Sequence, residues 1–227
     1  AITRHSDSLM RLQLRFRLAA HNPFAPAMNT AIYRGHPVLE QDADWVDDLT
    51  AEYQRQLLEL DNEVGIPYRT DTASRAFIMQ QHVWSEIGRQ AQAKLRGQLY
   101  YLRGRQRAIW VASQAQDFIP VRTVGNALVV AVAGFSEFGV VPGRRDLRLQ
   151  LVDGTRVYRR ILTATRLSDY ELLALDGDVP PADSISHVSL MALCRQNTDD
   201  ITWEHTTDAD GFAQVSTTFR GLRDELE

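Results

Sequence analysis

The sequence predicts a mainly β (α+β) protein: an antiparallel β-sandwich with one packed helix, at about residues 90–103, and an inserted small β-meander domain. Three observations carry this. Apolar and polar residues alternate with a period of two in many short runs, as in Leu12, Leu14, Phe16 and Leu18 against Arg11, Gln13, Arg15 and Arg17. A single stretch shows the spacing of an amphipathic helix. From Val121 onward, short apolar runs are separated by tight-turn residues such as Asp153-Gly154.

Leu9 to Leu18 is read as a half-buried strand, and the prolines of HNPFAPAM, Pro23 and Pro26, end it in a linker over His21 to Met28. Short strands follow at Thr30 to Arg34, Leu49 to Asp61 and Ser74 to Ile87, punctuated by Gly35, Pro37, Gly65 and Pro67. Leu49 to Leu60 contains helix formers and a possible N-cap at Thr50, but its alternation favours a strand. In Gln90 to Arg103, Ala91, Leu95, Leu99 and Leu102 form one apolar stripe, and Gly104 is the expected left-handed cap. AIWV at Ala108 to Val111 is a buried-type strand. ALVVAVAG, DLRLQL, RVYRRIL and YELLALDG then read as a meander that closes at Pro180-Pro181, before HVSLMALCR and the last strands ITWEHT and AQVSTTF. The expected organisation is a terminal hairpin plus linker at 1–26, a sandwich domain at 27–121 and 185–227, and an inserted β domain at 122–184.

Composition excludes several classes of function. The 227 residues carry 25 Lys+Arg against 29 Asp+Glu, a net charge of −4, which supplies no global field for nucleic acid. No apolar run approaches the roughly 18 residues of a membrane span, so a soluble chain without membrane insertion is expected. Ala1 to Ala20 mixes arginines with apolar residues and does not read as a signal or transit peptide. Cys194 is the only cysteine, which rules out an intrachain disulfide framework and a thiolate cluster. Lys94 is the only lysine, and arginine suits protein contacts better than lysine does.

The ends of the chain resemble each other. Ile2-Thr3, His5, Asp7 and Phe16-Arg17-Leu18 have counterparts in Ile201-Thr202, His205, Asp208 and Phe219-Arg220 with Leu222. The same hairpin is expected twice, which implies a duplicated protein with sequence upstream of residue 1.

No motif points to catalysis, and neither a catalytic residue nor a cofactor or metal site is expected. In GFSEFG, Gly134 to Gly139, the second glycine comes too late for the G-x-S-x-G elbow around Ser136, and no strand-to-helix turn is expected there. The six histidines, at 5, 21, 36, 82, 187 and 205, never take a metal-binding spacing. Asp208-x-Asp210-Gly211 lacks the remaining ligands of a calcium loop, and the pairs Asp42/Asp44 and Asp47/Asp48 read as solvated loops. Trp45, Trp84, Trp110 and Trp203 sit in alternating stretches that suit a core; as stacking platforms they would instead suit a carbohydrate-binding module of a tail fibre or cell-wall-acting protein. Possible interface residues are Arg103, Arg105 and Arg107 around the helix end, near Arg96, and Arg144 and Arg145 before the strand at Leu147.

The segments AIYRGHPVLE, DWVDDLTAEY, LELDNEVGIPYRTDTASRAF, QQHVWSEIGRQAQAKLRGQLYYLRGRQRAIWVAS, PGRRDLRLQLVDGTRVYRRIL and VSLMALCRQNTDDITWEHTTDADGFAQVSTTFRGL occur in an order that resembles tail proteins of long-tailed bacteriophages. More narrowly the chain resembles the distal tail or minor tail group at the tail tip. A strand with Trp84 leads there into a helix, Gln90 to Leu102, then Leu102-Arg103-Gly104-Arg105 and the strand with Trp110-Val111. The resemblance implies a non-enzymatic virion component, made in the bacterial host cytoplasm, that forms a homo-oligomeric ring, commonly a hexamer. It implies the tail tube protein, the baseplate hub and tail fibre proteins as partners, with no nucleic acid contact required. Residues 122–184 exceed the simplest members, and a duplicated chain would suit a trimer presenting six similar domains.

Overall fold

The structure, a computed structural model, describes residues 2–4, 10–12, 28–44, 51–72, 76–206 and 211–222. Among the described residues it is mainly β, with a large antiparallel sheet, one long α-helix and one short one.

Strands β1 (Ile2–Arg4) and β2 (Met10–Leu12) pair with each other, Ile2 opposite Leu12. The rest of the strand expected over Leu9 to Leu18 lies outside the described residues, as do Trp45, most of the Pro-rich linker and Phe16 to Leu18 of the suggested repeat. Strands β3 (Ile32–Tyr33) and β4 (His36–Pro37) form a small hairpin that turns on Arg34 and Gly35, both left-handed. The ambiguous segment from Leu49 is strand in two pieces, β5 (Ala51–Gln54) and β6 (Leu57–Leu60). Strand β7 (Tyr68–Asp71) returns along β6, and β8 (Phe77–Ile87) returns along β5.

Helix α1 spans Arg89–Leu102, one residue earlier than expected at each end. Its left-handed cap is Arg103 itself, at φ 53 and ψ 47, and Gly104 follows at φ 61. Two successive left-handed residues swing the chain into a single 3-10 turn, Gly104–Gln106, before β9 (Ile109–Ala112). Of the expected apolar stripe, Leu95, Leu99 and Leu102 are buried.

Strands β10 (Pro120–Val124) and β11 (Ala127–Ala131) form a hairpin, and the four-residue helix α2 (Phe135–Phe138) follows. This corrects the expectation that no strand-to-helix turn occurs at GFSEFG; Gly134, left-handed at φ 73, makes the turn. Strands β12 (Asp146–Leu151), β13 (Arg156–Arg166) and β14 (Tyr170–Leu175) run as a meander, and β14 also pairs with β11. Last come β15 (Ile185–Gln196), β16 (Trp203–His205) and β17 (Phe212–Gly221).

The main sheet has the order β10-β11-β14-β13-β12-β15-β17-β8-β5, with β9 on β15 and β16 on β17. Met191 pairs with both Asp146 and Ala112, and Cys194 with both Gly221 and Ile109. Each residue has one neighbour per side, so β12 and β17 take successive stretches of one edge of β15 while β9 takes the other. The long strand β15 therefore joins the two halves of the molecule. Its even-numbered apolar residues divide between two cores. Ala192 and Cys194 pack with Leu95, Leu99 and Leu102 of α1 and with Trp84, Val215 and Phe219. Val188 packs with Leu128, Leu147, Ile161 and Leu173. Strands as distant in the order as β11 and β15 share that second core, so the sheet folds over onto itself as a sandwich. On the opposite face, Met191 and Leu193 pack with Val38 and Trp110.

Candidate interaction surface

The most unusual surface is built from local sequence. β5 and β8 are continued outward by β6 and β7, and the join is held by the Thr72 amide donating to the Gln56 carbonyl at 3.1 Å. Every residue from Glu52 to Ile66 is exposed. Register places Leu58 opposite Thr70 and Leu60 opposite Tyr68, while Leu57 faces Asp71 and Glu59 faces Arg69. Strand side chains alternate between faces, so Leu58, Leu60 and Tyr68 lie on one side. The other carries the ion pair Arg69–Glu59 at 2.9 Å, next to Arg55–Asp71 at 2.8 Å. The tip adds Val64 and Ile66, the latter 97% exposed. This two-faced ribbon has the pattern of a half-buried hairpin, yet nothing in the described chain covers its apolar side. An isolated two-stranded hairpin is at best marginally stable in water. We call it the arm.

The expected interface arginines fall on two different elements. Arg103 and Arg105 are exposed on the turn after α1, where the Arg105 amide donates to Asp199 Oδ1 at 2.9 Å. Arg107 lies with its guanidinium 4.2 Å from the centre of the Tyr101 ring, and Arg96 stacks likewise on Trp203 at 4.5 Å. These aromatic contacts hold two of the four cations against the fold. Arg144 and Arg145 precede β12; Arg144 is exposed and lies over Phe135 at 5.3 Å and Phe138 at 5.7 Å. The arm escaped sequence reading because its alternation is that of any half-buried strand.

A polar clamp ties the segment around residues 33–44 to the meander. Arg160 makes a bidentate pair with Asp146, at 2.9 and 3.1 Å, and the Tyr33 hydroxyl donates to Asp146 at 2.7 Å. Asp42 accepts from Arg148 at 2.6 Å and from Arg156, and the Tyr158 hydroxyl donates to Glu40 at 2.9 Å. Burial first, and then the adjoining carboxylates, push both the Tyr33 and Tyr158 phenols above their ordinary range. These groups work as fixed donors.

Ser136 is the residue of the GFSEFG motif with a reactive side chain, and its hydroxyl donates to Glu171 at 2.7 Å. The amides of Ala133, Phe135 and Ser136 donate to the same fully buried carboxylate. Burial would raise the Glu171 pKa, but the hydrogen bonds from Ser136, Ala133 and Phe135 outweigh it and hold it below the usual value. The arrangement caps α2. His82 is buried between Trp84 and Phe219, and its Nδ1 lies 3.4 Å from Gln114 Nε2. Desolvation, reinforced by Arg148 and opposed by Asp42, lowers its pKa to about 4. Burial pushes the Cys194 thiol up to about 12.

Trp84 and Trp110 are core residues, and Trp203 packs against the α1 core. Among the described residues, no group of three or more His, Cys, Asp or Glu is placed to hold a metal ion, and no helix is long and apolar enough to cross a membrane.

Fold and surface together define a β-sandwich protein with a projecting hairpin arm. No protein-family model matches this chain, and no curated protein matches it either.

Proposed function

We propose that this protein is a structural component of a bacteriophage virion at the distal end of the tail, joining the tail tube to the baseplate hub or fibres. It works through protein–protein contacts in a homo-oligomeric ring. The arm carries this reading: a ribbon whose apolar face is more than half exposed among the described residues is understandable as a segment that orders its surroundings on assembly. The polar clamp supports it too, since a buried ion pair such as Arg160–Asp146 holds geometry more than it adds stability, and a ring subunit must present its edges at fixed angles. The resemblance to tail-tip proteins supplies the location.

The test is to purify virions from cells expressing the gene together with its neighbouring tail genes, and to label them with antibody against the chain. Label confined to the tail tip is the expected result. Label on the head or along the shaft, or particles that lack the chain, overturns the reading.

A further inference from the structure

The two ends of the main sheet differ in a way that suggests how copies meet. At one end β5 runs out into the arm. At the other, β10 is the edge strand, and beside it lies an open groove of about 400 Å³ whose lining includes Val121, Arg122, Val179, Pro181, Ala182 and Asp183. The groove wall is fixed by the Thr123 hydroxyl donating to the Pro180 carbonyl at 2.8 Å, so it is present before anything binds. Val121 is 43% exposed and Val124 53% exposed at this edge.

We infer that the apolar tip of the arm of one copy, Val64 and Ile66, seats in the β10 groove of the next copy. This rests on the reading that the chain assembles with itself. Complementarity of charge selects the occupant and its direction. The arm's tip carries the exposed carboxylates of Asp61 and Glu63, whereas Arg55 and Arg69 farther back are already paired with carboxylates of the arm itself. Arg122 is the exposed cation of the groove, and Asp183 has the tip's own sign. The tip therefore enters on the Arg122 side, which sets Val64 and Ile66 against Val121 and Pro181. Arm and groove are two different surfaces of the chain, so the contact is heterologous, and it closes a ring where the rotation between copies closes. Filling the groove also covers an edge strand whose bulge after Pro120 already discourages free pairing.

Disulfide trapping tests this on the full chain. The native Cys194 is buried, with its thiol pushed up to about 12, so it stays silent. Ile66→Cys and Val121→Cys are prepared separately, mixed at the highest soluble concentration and oxidised with copper–phenanthroline. The expected result is a linked dimer in the mixture, at least tenfold above either variant alone. It should fall at least fivefold when Arg122→Glu is added to the Val121→Cys chain and return with Arg122→Lys. A dimer from Ile66→Cys alone at equal yield means arm meets arm and overturns the inference, as does a mixture without linked dimer. Insensitivity to Arg122→Glu overturns the charge-directed seating. The outcome is independent of the virion labelling, so a trapped crossed pair in a protein absent from the tail tip would sink the tail assignment and leave this contact standing.

Discussion

Asp199 docks into space that only a glycine at position 104 leaves open. A Cβ on Gly104 would lie 2.3 Å from Asp199 Oδ1 and 2.9 Å from its Cα, and the next amide, of Arg105, donates to that carboxylate. The loop before β16 is thus fastened to the end of α1, and through it the Trp203–Arg96 stack is placed.

Gly104→Ala should therefore lose more stability than a left-handed glycine alone explains. At φ +61 the backbone term is about 1 kcal/mol, and displacing Asp199 adds a clash with backbone, for a total on the order of 2–4 kcal/mol. Gly35→Ala, at φ +81 with nothing within 4 Å of its Cβ, isolates the backbone term. Urea denaturation of the two variants makes the comparison; equal losses would show that Asp199 yields without cost.

His82 should make the fold acid-sensitive. Its folded pKa of about 4 lies below the unfolded value of 6.5, so the unfolded chain binds the proton first. The stability from the neutral imidazole is fully present above pH 6.5 and is lost as pH falls toward 4, a change on the order of 3 kcal/mol. The stability difference between His82→Gln and the parent should shrink over that window, measured by urea denaturation at pH 7.5, 6, 5 and 4.5. Parallel pH profiles would place the acid sensitivity on the carboxylates instead.

Removing one partner of the buried pair should cost far more than removing its phenolic companion. Asp146→Ala takes from the buried Arg160 guanidinium the carboxylate that holds it bidentately, a loss of about 3–5 kcal/mol. Tyr33→Phe deletes one hydrogen bond to the same carboxylate, at about 1–2 kcal/mol. Asp146→Leu combined with Arg160→Met should recover part of the single-variant loss. Thermal unfolding decides it, and a double variant no better than Asp146→Ala argues against the pairing.

The Glu171 cap should be legible in amide exchange. Glu171→Ala strips the acceptor from Ala133, Phe135 and Ser136 at once, so these amides should exchange at least tenfold faster, with a stability loss on the order of 2–4 kcal/mol. Ser136→Ala removes one of four bonds and should cost about 1 kcal/mol, leaving the amides protected. Unchanged exchange in Glu171→Ala would mean the three amides have other partners.

Much of the architecture was legible because periodicity is local. The alternation in DLRLQL is the strand Asp146–Leu151, and the leucine stripe of α1 faces the core. The helix boundary slipped by a residue because the left-handed cap fell on Arg103, against the usual preference for glycine, while Gly104 was reserved for the approach of Asp199. Pairing of charges was beyond sequence reading. Tyr33 and Asp146 are 113 residues apart and Asp42 and Arg148 are 106 apart, and nothing local marks one arginine as the partner of one aspartate. The arm is the sharpest case. Its residues specify an amphipathic hairpin, but whether such a hairpin lies on the core or stands off it depends on what the rest of the sheet already covers. The sequence by itself determined which residues become strands and which faces are apolar, because backbone sterics and side-chain alternation act over a few residues. The tertiary structure decided which apolar face stays in water, since only the closed sandwich settles which surfaces are left without a partner.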